Sequence, residues 1–250
     1  MKVLIFGATG GTGRALVEQA LEQGHAVTAF ARNPAKVQST HPKLTVAQGN
    51  MLDSASVEAA VKGQDAVLSA LGTRPPVWGV ILFAFAFQIL ARLLALHGPL
   101  GLVVRIGGPL LAILILTRPT TTLSEGTRNI VQAMEKHGVR RLICESSLGV
   151  ADSRGRLGIL YNLLVVPLLL RGMFADKAAQ EGIIKASGLD WVIVRPTSLT
   201  NGPHKGAYRA GLDIGHWLRP TRISRADVAD FMLKQLSDDT YLQKTPGVAY

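Results

Sequence analysis

A single α/β domain built on one doubly wound parallel sheet is the fold that this sequence predicts, and three observations predict it. Short runs of strand-forming residues alternate with stretches whose apolar residues recur at helical spacing, the pattern of a parallel sheet covered on both faces. Gly7, Gly10 and Gly13 stand in a G-x-x-G-x-x-G spacing directly between the first such run and the first helical stretch. The chain of 250 residues suffices for one sizeable core and carries no internal repeat or linker that would divide it.

The elements follow in order. KVLIF (Lys2–Phe6) is a continuous apolar run stopped by Gly7 and reads as a buried strand. RALVEQALEQ (Arg14–Gln23) places Ala15, Leu16, Ala20 and Leu21 on one helical face, and Gly24 ends it. HAVTAFA, LTVAQG and DAVLSALG supply strands two to four, with short helices expected at Pro34–Gln38 and Ser54–Val61. SEGTRNIVQAMEKHG (Ser124–Gly138) reads as a helix with Ser124 as N-cap, Ile130, Val131 and Met134 on the core face, and Gly138 at the end. RRLICESS is a fifth strand, LDWVIVRP a sixth, and RADVADFMLKQL a final helix. Right-handed crossovers between parallel strands then give a Rossmann-type sheet.

Composition narrows the function. The formal charge of +10 is dispersed, and aromatic residues, at 6%, do not interleave with it as a base-stacking platform requires, so nucleic acid is not expected as a partner. Cys144 is the only cysteine and lies in the fifth strand, where it reads as a small buried hydrophobe. The six histidines lack metal-ligand spacing, and no metal site is expected. The apolar run after Lys2 is shorter than a signal-peptide core and ends in the glycines, which points to a cytoplasmic chain.

A strand–glycine turn–helix unit suits a dinucleotide. The glycines permit a tight turn, a close backbone approach to the diphosphate and close helix–sheet packing, and the helix N-terminus offers unpaired N–H groups. At the end of the second strand, where an NAD site places an acid for the ribose hydroxyl, this chain reads AFARNPAK. Arg32 occupies that place, and its guanidinium suits a 2′-phosphate, so NADPH/NADP is the expected cofactor. Asp53 admits two readings, an adenine contact and the N-cap of Ser54–Val61. Leu71 and Gly72 close the fourth strand at the edge that should face the cofactor.

The chain resembles the atypical short-chain dehydrogenase/reductases of the NAD(P)-binding, NmrA-like kind, most of all the flavin reductase/biliverdin-IXβ reductase group. The residues that carry this are FGATGGTG, GQDAVLSALGTR (Gly63–Arg74), SEGTRNIVQAMEKHGVRRLI (Ser124–Ile143), ESSLG (Glu145–Gly149), GLDWVIVRP (Gly188–Pro196), GAYR and ISRADVADFML. Their succession in order is more specific than any one of them. The resemblance implies Gly7, Thr9, Gly10, Thr12 and Gly13 along the phosphates, Arg32 on the 2′-phosphate, and Met51 and Asp53 near the adenine. It implies Leu71, Gly72 and Thr73 beside the nicotinamide ribose, Ser146 and Ser147 beside the nicotinamide, and Pro196 on the cofactor edge. Lys177 is the lysine of the catalytic set by position.

Two departures bear on the chemistry. The wider family uses a Tyr-x-x-x-Lys proton donor, but Met173 stands four residues before Lys177, and Val165 stands four after Tyr161. The histidine that the biliverdin reductases carry after the sixth strand corresponds to Ser198, with His204 a few residues beyond. Reducing an isolated ketone makes a basic alkoxide, for which a general acid contributes about 10²–10⁴-fold. A flavin or quinone gives a delocalised anion that takes its proton from water, and mainly needs positioning. The expected activity is therefore NADPH-dependent hydride transfer to a conjugated, lipophilic acceptor of flavin, quinone or pigment type. The alternative is a non-catalytic NADP-binding sensor of the NmrA-like kind.

The resemblance is interrupted after the fourth strand by an apolar, helical insertion at about 75–118. Val77–Leu96 is long enough to cross a hydrocarbon core but contains Gln88 and Arg92, and the following stretch is broken by Arg105 and Gly107–Gly108–Pro109. Three readings stand: contact with a membrane surface through residues 76–118, an intramolecular lid against Leu157–Leu170, and a homo-oligomer interface. In each the insertion would border the small-molecule acceptor's pocket.

Overall fold

A computed structural model describes residues 1–72, 85, 89, 120–216, 218 and 220–250. Strands β1 (Lys2–Phe6), β2 (Ala26–Ala31), β3 (Leu44–Gln48), β4 (Ala66–Ser69), β5 (Arg141–Glu145) and β6 (Asp190–Pro196) pair in parallel in the order 3-2-1-4-5-6. Beyond β6 the sheet continues through β10 (Gly247–Ala249), parallel to β6, and β8 (Arg209–Gly211), antiparallel to β10. β7 (Ser198–Thr200) and β9 (Arg222–Ser224) form a separate parallel pair. The order reverses between β1 and β4, which makes the crevice at the C-terminal ends of those strands the ligand edge.

The continuous apolar run of β1 is explained by its two buried faces. Val3 and Ile5 join Leu16, Val17 and Ala20 of α1 (Gly11–Glu22) and Val228, Phe231 and Met232 of α5 (Arg225–Lys234). Leu4 and Phe6 face the opposite layer, with Val57 and Val61 of α2 (Ser54–Val61), Ile130 and Met134 of α3 (Thr122–His137), and Ile184 of α4 (Arg171–Lys185). Side chains that alternate across a strand thereby serve two helical layers at once.

Three local expectations are corrected. The first helix begins at Gly11, inside the glycine turn, and the helix expected at Pro34–Gln38 is a single 3₁₀ turn, Pro34–Lys36, capped by Asn33. Ser124 is not the N-cap of α3: it is buried in the first turn, and its hydroxyl donates to the Thr121 carbonyl at 3.0 Å. The Asp176 carboxylate caps that helix from α4, accepting from Leu123 N and Ser124 N at 2.9 Å each. A cap contributed by another helix has no local sequence signature. Gly138 closes α3 in the left-handed region, φ 69°, as its position implies.

The segment Tyr161–Leu170, apolar except for Asn162 and the Tyr161 hydroxyl, is a π-helix with Pro167 inside it and leads directly into α4. Its i→i+5 geometry absorbs a residue that an α-helix interior tolerates poorly. The expected insertion and its membrane, lid and oligomer readings lie outside the described residues, apart from the exposed Phe85 and Ile89. Among the described residues, no helix is long and apolar enough to cross a membrane.

Candidate cofactor and acceptor site

The glycine turn is built by close approach. Gly7 adopts φ 77°, and a Cβ there would strike the Ala70 carbonyl at the end of β4. A Cβ on Gly13 would collide with the Gly7 carbonyl, so α1 can lie this near β1 only with glycine at that position. Gly10 donates to Gly7 O at 2.9 Å and caps α1 without a side-chain acceptor, and the first turn of α1 holds no acid. The first N–H groups of a 12-residue helix are thus left to a ligand, and the turn fits a diphosphate.

The other predicted cofactor residues lie within the turn or at and beyond the C-terminal ends of β2, β3, β4 and β6, in varied roles. Thr9 is half-buried, whereas Thr12 is buried and its hydroxyl donates to Glu145 Oε1 at 3.1 Å, so a phosphate would meet only its backbone. Arg32 is exposed just past β2 and has no carboxylate partner among the described residues. Asp53 caps α2 by accepting from Ala55 N at 3.2 Å. Met51 lies on α3, where a Cβ on Gly126 would overlap it, and its carbonyl accepts from Asn129 Nδ2 at 2.9 Å. Leu71 packs on the core and Gly72 is exposed at the ligand edge, while Thr73 lies outside the described residues. Pro196 ends β6, and its carbonyl accepts from Leu148 N at 2.9 Å.

At the end of β5 the predicted catalytic residues come together, but most are already engaged. Ser146 is buried, and its hydroxyl donates to Glu181 Oε1 at 2.7 Å. Lys177 is buried too, with Nζ 3.2 Å from the Ser146 carbonyl and 3.5 Å from that of Glu145. Ser147 alone of the three is partly exposed, its Oγ bonded to the Leu148 carbonyl at 3.1 Å. Burial pushes the Glu145 carboxyl above its ordinary value, opposed by the Lys177 charge, the Thr12 hydroxyl and Arg225.

Sequence reasoning missed the charges that hold this end of the sheet. Glu181 and Arg195 are 1% and 2% exposed and meet through two bonds, of 3.0 and 2.6 Å. Arg195 also forks onto Asp152 at 3.1 and 2.6 Å. Burial opposes the arginine's charge, but the two carboxylates outweigh it and raise its pKa, while Arg195 holds Asp152 well below the ordinary carboxylate range. A charge at the C-terminal end of a strand with an apolar interior, Glu145 in RLICE and Arg195 in DWVIVRP, was the available signal. Cys144 sits deep in the sheet, its thiol pushed up to about 12 by burial, and is inert. His204 is 49% exposed on its side chain, 3.7 Å from both Asp227 and Asp230, and does not reach the β5 end through any described contact.

Beyond Ser147 the chain turns through Gly149–Leu157 and, with residues from Asn162 to Ala175, lines an open cavity of about 430 Å³. Val150, Leu157, Val166, Pro167 and Phe174 make its walls mostly apolar, with Arg154, Asn162 and Arg171 as the polar lining. A cavity of this size fits a small organic molecule.

A model of the NAD(P)H-binding family matches residues 7–97 and 102–239. An uncharacterized chloroplastic protein of Arabidopsis thaliana is 30% identical over 211 residues, covering 82% of this chain and 61% of the relative. A 3-beta-hydroxysteroid dehydrogenase of Mycolicibacterium neoaurum is 27% identical over 60% of this chain, which spans 32% of that protein. Among solved structures, ChuY, an anaerobilin reductase of Escherichia coli O157:H7, superposes with a TM-score of 0.70 at 20% identity, covering 100% of this chain and 97% of that one. A short-chain dehydrogenase/reductase of Veillonella parvula in complex with NADP gives 0.69 at 18%, covering 100% and 94%. These structural likenesses concern the fold, whereas the family match extends over the glycine turn and nearly all of the chain; the protein belongs to the NAD(P)H-binding family and has a Rossmann-type fold.

Proposed function

We propose that the protein is an NADPH-dependent reductase that transfers hydride to a conjugated, lipophilic acceptor of flavin, quinone or pigment type. The observation that carries this reading is the largely apolar cavity of about 430 Å³ lined by the segment that follows β5, from Gly149, two residues after Ser147, to Leu157. NADPH, when bound, supplies the hydride. The chain's own residues position the two partners: the α1 N-terminus takes the diphosphate, Arg32 the 2′-phosphate, and Ser147 orients the acceptor with a hydroxyl hydrogen bond. Ser146 and Lys177 maintain the β5 end, because their polar atoms are held by Glu181 and by backbone carbonyls. With both groups engaged, the site favours acceptors whose reduced form is a weak base able to take its proton from water.

Purified full chain should oxidise NADPH with a panel of flavins and quinones, prefer NADPH to NADH, and lose that preference in Arg32→Ala. Absence of turnover across the panel overturns the reductase reading. The engagement of Ser146 and Lys177 also favours a second reading, an NADP-binding sensor. That reading predicts tight binding of NADP⁺ and NADPH alike, no acceptor turnover, and a protein partner retained in pull-downs.

A further inference from the structure

Exposed apolar side chains are ordinarily scattered over a protein surface. Here they gather. Ile159, Leu160, Leu163 and Leu164 are 43%, 60%, 58% and 52% exposed, all within six residues around the start of the π-helix. A second strip runs beside them: Leu157 bridges His216, and Arg156 Nη1 donates to the Leu212 carbonyl at 2.7 Å. That strip adds Leu212 and Leu218, 54% and 58% exposed. The charge around these leucines is one-sided. Between Asp152 and Asp176 the chain has Arg154, Arg156 and Arg171 and no carboxylate, and Asp213 is the only acid in the adjoining strip. Arg154 and Arg171 are exposed and have no carboxylate partner among the described residues.

We propose that this face docks on an anionic bilayer surface, with the leucines at the headgroup boundary and the arginines against lipid phosphates. Apolar side chains flanked by arginines have the composition of an interfacial membrane contact, and each cation near an anionic leaflet strengthens binding about fivefold. The formal charge of +10 acts in the same direction. A second copy of the chain is a poorer occupant, because two such faces brought together would oppose arginine to arginine. Arg154 and Arg171 belong both to this face and to the cavity lining, to which Asn162, Val166 and Pro167 contribute from the same π-helix as Leu163 and Leu164, so docking turns the cavity toward the lipid phase. That last consequence rests on the proposed reductase reading; the docking itself does not.

Flotation of the full chain with phosphatidylcholine vesicles, with and without phosphatidylglycerol, tests the proposal without any need for turnover. Co-flotation with the anionic vesicles only, weakened by salt, is expected. Leu163→Glu/Leu164→Glu should reduce it by at least about tenfold while retaining NADPH binding as evidence of folding. This pair leaves residues 75–118 untouched, so a variant that floats like the parent overturns the proposal. Equal binding to both vesicle types overturns it as well. So does a chain that ignores vesicles but forms a dimer dissolved by the same pair. An inactive enzyme that still floats on anionic vesicles would refute the reductase reading and leave the docking supported.

Discussion

At the glycine turn the binding surface is backbone, whereas at the end of β5 it is made of side chains already bonded to one another. Gly7, Gly10 and Gly13 bring helix and strand together, and no side chain caps the first N–H groups of α1, an arrangement suited to an anion. Ser146, Lys177, Glu181 and Arg195 leave almost nothing free. The difference teaches which part of the site is built to bind and which to hold shape. In the proposed reading the glycine turn recognises the charge of the cofactor, and the segment after β5 offers the acceptor a largely apolar hollow.

This contrast can be broken by mutation, and the largest effect should come from the engaged end. Glu181→Ala leaves Arg195 buried with only the Asp152 fork, and removing one partner of a buried ion pair costs about 3–5 kcal/mol. A fall in thermal midpoint of about 10 °C is expected by calorimetry, with NADPH affinity of the folded protein little changed. Gly13→Ala should show the reverse balance. Its Cβ meets the Gly7 carbonyl, so destabilisation of about 1–3 kcal/mol should accompany a loss of NADPH affinity that titration calorimetry would read as tenfold or more. If Gly13→Ala bound NADPH normally, the turn would not be the phosphate site.

Smaller effects sharpen the same boundary. Asp176→Ala uncaps α3 and should cost about 1–2 kcal/mol in urea unfolding, without altering cofactor affinity. Asp152 gives a pH signature. Its hydrogen bonds from Arg195 depress its pKa in the folded state, so its contribution is fully present above the ordinary value of 3.8 and lost as pH falls below it. Asp152→Asn should flatten the acid limb of the stability curve below that value and leave the neutral region almost unchanged apart from the lost pairing. An unaltered acid limb would remove Asp152 from the network's electrostatics.

Much of this was legible in the sequence because it is periodic or local. Six parallel strands, the helices α1, α3 and α5 and the glycine turn announce themselves through apolar runs, 3.6-residue spacing and glycines at fixed offsets, whereas α4 was not read from the sequence. What was not legible depends on partners far away along the chain. Asp176 caps a helix whose first residues lie 53 and 52 positions before it, and Ser124 therefore only looked like a cap. The role of Ser146 depended on Glu181, 35 residues further along the chain in a helix not identified from the sequence. β8 and β10 are three residues each, too short for a periodicity to register, and they extend the sheet because β6 offers an edge.

Asp176 has one further consequence. Besides capping α3, its carboxylate accepts from the Thr120 hydroxyl at 3.0 Å, so the chain is clamped to α4 directly after residue 119. The sheet and its helices are joined at a fixed docking point, whatever length of polypeptide precedes it. Such a clamp makes the position after β4 a natural splice junction. Segments of different length and chemistry could be exchanged there during evolution, or by an engineer, without re-registering α3.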